Sequence, residues 1–112
     1  MGRRNWKRKD ELGYFIPISW KMVDSDAFKE LTNASRTAYL IIKRQYNKDI
    51  PGQFKCPYST AEQYMERHTF ARSIKQLIEL GFIKKSQKGS LYRKTNIYSC
   101  SEDWGSYKRP QI

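Results

Sequence analysis

An α+β fold is predicted for this chain, with three to four helices and a small antiparallel β-sheet. Three observations predict it. Apolar residues recur at helical spacing in two segments, "TNASRTAYLIIKRQYN" and "HTFARSIKQLIEL". The period changes after Gly81, where "FIKKSQ" and "NIYSCS" read as strands. A further short strand, "FKCPY", stands between helical segments and is closed by Pro57. The 112 residues fit one domain. Three Trp, eight Tyr and five Phe set the chain apart from disordered sequences of low hydrophobicity. The domain is expected over residues 14–104, between a basic arm, 1–13, and a tail, 105–112.

The arm carries Arg3, Arg4, Lys7, Arg8 and Lys9. It reads either as a reach toward phosphates or as a solvated tail. "YFIPISWKMV" follows; Pro17 argues against a long helix, so an extended segment is expected. "DSDAFKEL" is a short helix that Asp24 or Ser25 can cap. Thr32 or Asn33 caps the next helix. Ala38, Leu40, Ile41, Ile42 and Tyr46 make it largely buried, with Arg36, Lys43 and Arg44 at wetter positions. Pro51-Gly52 breaks the chain before the short strand. Ser59 and Glu62 have the spacing of a capping box at the start of another short helix. In the helix expected at about 67–80, Ile74, Leu77 and Ile78 fall within about 80° of Phe70 at 100° per residue. His68, Thr69, Arg72, Lys75, Gln76 and Glu79 lie on the other side. Gly81 supplies the stop. The strands that follow form a hairpin with a basic tip around Gly89; the end of the chain is expected to be irregular. Trp20, Trp104, Tyr14 and Phe15 read as core or edge packing, too scattered for a base-stacking platform.

Charge narrows the functional classes. Lys and Arg number 22 against 11 Asp and Glu, a net charge of +11. Such an excess on a small domain points to a polyanion, nucleic acid before an anionic membrane surface. No apolar run approaches the roughly 18–20 residues of a membrane span, and the basic N-terminus lacks the apolar stretch of a secretory signal. Cys56 and Cys100 form no CxxC knuckle. They read as two half-buried thiols in a reducing, cytoplasmic setting, on strands close enough to be neighbours. The single His68 makes no metal site, no cofactor is expected, and the dispersed acids offer no acid/base pair, so an enzyme is not expected.

The order helix, helix, short strand, helix, helix, hairpin is that of a winged helix-turn-helix. "PYSTAEQYM" followed by "TFARSIKQLIELGFIKK" resembles the winged-helix domains of bacterial, phage and plasmid replication and regulatory proteins. "FIPISWKMVDSDAFKELTNASRTAYLIIKRQYN" resembles their lead-in, and the likeness spans about residues 15–100. It implies double-stranded DNA as the partner, for transcription regulation or replication initiation, at the nucleoid. By position it implies that Thr69, Arg72, Lys75 and Gln76 face DNA, with Arg67 and His68 at the helix entry where a phosphate would meet backbone N–H groups. Lys84, Lys85, Lys88, Arg93 and Lys94 form the basic wing, about 84–96, with no acid between 80 and 101. One departure stands out: Glu66 occupies the capping position where such domains usually have Ser or Thr. A homodimer is a further expectation, because two-fold proteins suit palindromic sites. The alternative is a winged helix that uses the same faces to bind an acidic protein in a replication or regulatory assembly.

Overall fold

The computed structural model describes residues 15–45, 53–87 and 97–109. The architecture is α+β, with five α-helices and one three-stranded antiparallel sheet among the described residues, an arrangement compatible with a winged helix. The helices are α1 (Trp20–Val23), α2 (Asp26–Glu30), α3 (Asn33–Arg44), α4 (Tyr58–Ala61) and α5 (Arg67–Glu79). The strands are β1 (Gln53–Lys55), β2 (Ile83–Gln87) and β3 (Ile97–Cys100), in the order β1-β3-β2.

Hydroxyl caps set the starts of the first three helices. Ser25 Oγ accepts the N–H of Phe28 at 3.2 Å to open α2, and Thr32 Oγ1 accepts that of Ser35 at 3.1 Å to open α3. The segment expected to be extended differs. Ser19 Oγ accepts the N–H of Met22 at 3.1 Å, so Trp20–Val23 closes one helical turn. Pro17 lies before that turn and does not oppose it. The expected capping box is also absent. Tyr58–Ala61 starts two residues earlier than a Ser59 cap would set it, with Pro57 as the cap and no side-chain cap bond. The proline's restricted φ already suits a helix entry, and Glu62 turns instead to Arg67.

The core lies between α3, α5 and the sheet, and α5 packs chiefly on α3. Ala38, Tyr39 and Ile42 of α3 meet Phe70, Ile74 and Leu77 of α5 within it. Phe82 is its aromatic centre. It lies edge-on to Tyr39 at 5.7 Å and to Phe28 at 6.3 Å, and stacks on Trp104 at 6.2 Å. Trp104 arrives on a 3-10 turn, Asp103–Ser106, where an irregular tail was expected. Tyr107 packs against the core as well, so the folded unit continues past residue 104. Arg109 then ties down α2, its N–H on Asp26 Oδ2 at 3.2 Å and its guanidinium on Glu30. Trp20, expected in the packing, is instead 87% exposed. Leu40 and Ile78, both assigned to apolar faces, are exposed at 43% and 39%.

Strand register separates the two cysteines. Lys55 faces Ile97, so Cys56 lies past one end of β3, whereas Cys100 ends that strand opposite Ile83. Both are free; Cys56 is buried and Cys100 exposed. Burial pushes the Cys56 thiol up from 9.0 to about 11. Tyr39 is also raised, first by burial and then by the neighbouring Cys100 thiol. A folded-state value above the unfolded one means stability is complete below the unfolded value and is lost as pH rises. Urea midpoints measured from pH 8 to 11 should therefore fall above pH 9. The Cys56 share of that loss is about 2–3 kcal/mol. Cys56→Ala should flatten the slope between pH 9 and 10, before Tyr39 contributes; an unchanged slope there would contradict this assignment.

Candidate functional site

The outer face of α5 is the prominent polar surface among the described residues. Phe70, Ser73, Ile74 and Leu77 turn inward, while His68, Arg72, Lys75 and Glu79 form an exposed stripe at helical spacing. The stripe spans roughly 16 Å at a rise of about 1.5 Å per residue. Arg72 and Lys75 make no hydrogen bond or ion pair to any described residue. They share an open groove of about 550 Å³ with Thr32, Ser35, Thr69 and Gln76, on the side where α3 begins.

The entry to α5 is built without a hydroxyl cap. Glu66 holds the cap position but makes no side-chain cap bond. Its carboxylate lies 3.5 Å from His68 Nε2. Arg67 is drawn back toward α4: its Nε lies 3.3 Å from Glu62 Oε2, and its guanidinium sits over the Tyr58 ring at 5.1 Å. Both partners of that ion pair are about half exposed, so solvent screens it and it ties Arg67 down only weakly. Thr69 is half-buried, and its carbonyl accepts from Ser73 Oγ at 2.9 Å.

Gln76 stands apart from the other residues expected to face outward. Its Oε1 accepts from Thr32 N–H at 3.1 Å and from Ser35 Oγ at 2.5 Å. Its Nε2 donates to the Glu30 carbonyl at 3.2 Å. The side chain is therefore spent on the corner between α2 and α3. The helical angle explains the difference: Gln76 lies about 120° from Phe70, on a flank, whereas Arg72 lies nearly opposite.

Arg36 was missed by sequence reasoning as anything but a surface cation. Its guanidinium caps the end of α2, donating to the Phe28 carbonyl at 3.1 Å and 3.3 Å while resting over the Phe28 ring at 5.2 Å. A cation at a helix C-terminus is its sequence signal, since Arg36 lies just beyond the end of that helix.

On the hairpin, Lys84 and Lys85 are both exposed, and Lys84 Nζ approaches Asp103 at 3.9 Å. A bulge interrupts β2 between Lys85 and Gln87, which increases local twist toward the tip. Lys88, Arg93 and Lys94 lie outside the described residues, as do the 1–13 arm, Tyr14 and Tyr46.

Charge is divided unevenly between these parts. Residues 58–80 balance Arg67, Arg72 and Lys75 against Glu62, Glu66 and Glu79. The segment 81–101 contributes Lys84, Lys85, Lys88, Arg93 and Lys94 with no acid. Among the described residues no group of three or more His, Cys, Asp or Glu is placed to hold a metal ion. Nor is any described helix long and apolar enough to cross a membrane. No protein-family model, curated protein or solved structure matches the chain.

Proposed function

We propose that this chain is a winged helix-turn-helix module that binds double-stranded DNA. In this reading α5 enters the major groove and the β2–β3 hairpin follows the phosphate backbone, in service of transcription regulation or replication initiation. The observation that carries the reading is the pairing of two features. Arg72 and Lys75 stand uncommitted on the solvent face of a helix whose other face is core. The adjoining hairpin segment is wholly cationic in its charged residues. A major groove about 12 Å wide admits such a helix, and cations aligned on a hairpin suit phosphates.

The neutral balance of residues 58–80 refines the reading. The helix contributes little net attraction, so of these two parts the hairpin supplies the larger share of the sequence-independent affinity. Anisotropy of a labelled random-sequence duplex, titrated at low and at physiological salt, tests this. If about five cations each neutralise a phosphate, log K falls by roughly 4–5 per log unit of salt. Absence of binding even at low salt would overturn the reading. One observation favours a second reading, a protein partner in place of DNA: Tyr64, at the turn before α5, is 61% exposed and offers a ring that a protein surface can cover. That reading predicts no duplex affinity in the same titration.

A further inference from the structure

We infer that Gln76 is a positioning residue that fixes the rotation of α5 and so aims Arg72 and Lys75. The inference rests on the duplex-binding reading and adds to it a residue whose amide is bonded within the protein, to the corner between α2 and α3. Gln76 makes three hydrogen bonds to three different residues of one corner: the carbonyl that ends α2, the N–H of the residue that caps α3, and the hydroxyl of Ser35. Ser35 is only 1% exposed and also accepts from Thr32 Oγ1 at 3.0 Å. The amide is thus one member of a closed network that includes the α3 cap itself.

The chemistry of the position is restrictive. The network needs an acceptor for two donors and a donor for one carbonyl. An amide supplies both; a carboxylate lacks the donor, and an aliphatic side chain lacks both. Gln76 follows Lys75 directly and lies one turn beyond Arg72. Any rotation of α5 about its axis would carry those two cations with it. Packing of Phe70, Ile74 and Leu77 holds the helix against α3, but apolar contact is non-directional and tolerates small rotations. The three directional bonds do not.

This predicts a split between two readouts. Preferred duplexes are first selected from a random pool with wild-type protein, and affinities for the preferred and a scrambled duplex are then measured for wild type, Gln76→Glu, Gln76→Leu and Ile74→Val. The last variant trims the core beside the network and serves as a control for stability loss alone. Discrimination between the two duplexes should fall about tenfold in both Gln76 variants, the scale of one misaligned base contact. Affinity for the scrambled duplex should change less than about twofold, because phosphate contacts tolerate small displacements. Ile74→Val should retain discrimination.

Discrimination that survives in the Gln76 variants, or that falls equally in Ile74→Val, would overturn the positioning role while leaving duplex binding standing. A wild-type protein that binds no duplex would overturn both. Protein NMR gives a readout independent of DNA. The Gln76 side-chain amide should show contacts to residues 30–35 and slowed hydrogen exchange; a rapidly exchanging amide without those contacts rejects the network.

Discussion

Gly81→Ala should cost the domain at least about 3 kcal/mol, one of the largest losses open to a single methyl group here. Gly81 has φ of +88°, a conformation in which an L side chain is strained. Its backbone completes the stop of α5. The N–H of Gly81 donates to the Ile78 carbonyl at 3.2 Å, and that of Phe82 to the Leu77 carbonyl at 2.9 Å. These are the two bonds of a Schellman motif, and the buried Leu77 and Phe82 supply its apolar contact. Strain alone accounts for about 1–3 kcal/mol. A Cβ at Gly81 would also meet backbone, 2.6 Å from the Trp104 nitrogen and 2.7 Å from the Asp103 carbonyl carbon. The backbone there cannot swing aside like a side-chain tip. The Trp104 N–H is bonded to the Gly81 carbonyl at 3.1 Å, and its ring is stacked on Phe82. Relieving the collision would therefore lift Trp104 from the core.

The measurement is the thermal midpoint of Gly81→Ala beside Gly105→Ala. In a domain of about 100 residues each kcal/mol moves the midpoint by roughly 4–8 °C, so the first variant should lose more than about 10 °C. Gly105 has nothing within 4 Å of an added Cβ, and its substitution should stay within about 0.5 kcal/mol of wild type. Equal midpoints for the two variants would show that the 3-10 turn is not seated against Gly81 and Phe82.

The stop at Gly81 was legible in the sequence because its signals are local. A long apolar-periodic helix, one glycine and an abrupt change to strand period point to one chain reversal. The starts of α2 and α3 were legible for the same reason, each with a Ser or Thr before its first apolar residue. Three features were not. Trp20–Val23 is too short to show a period, and only Ser19 marks it. Trp104 was read as packing, but the 3-10 turn that seats it lies in a stretch with no pattern, and its place is decided by Phe82 and Gly81, more than twenty residues earlier. Gln76 is polar on a mostly polar face, and its partners lie 41 to 46 positions away. Long-range hydrogen bonds leave no periodic trace. The stripe of α5 was legible as a face, but how each side chain is employed depends on neighbours that only the fold assembles.

Arg72→Ala should lower discrimination between preferred and scrambled duplexes by about 1–3 kcal/mol, roughly five- to 150-fold, without lowering the unfolding midpoint. The two halves of that expectation have separate grounds. Stability should hold because Arg72 is exposed and bonds to no described residue, and exposed substitutions of this kind stay within about 0.5 kcal/mol. Specificity should fall because Arg72 lies nearly opposite the buried Phe70, at the centre of the exposed face, and a guanidinium can grip a guanine edge with two parallel bonds. Lys75 offers a point charge instead. Lys75→Ala should weaken all duplexes alike and reduce the salt slope by about one. Arg72→Lys separates charge from geometry: it keeps the cation, so the salt slope should remain, but it cannot make the paired contact, so discrimination should fall nearly as far as with alanine. Full discrimination in Arg72→Lys would mean that this position meets a phosphate rather than a base. Full discrimination in Arg72→Ala would remove α5 as the reading element and leave the hairpin as the principal contact.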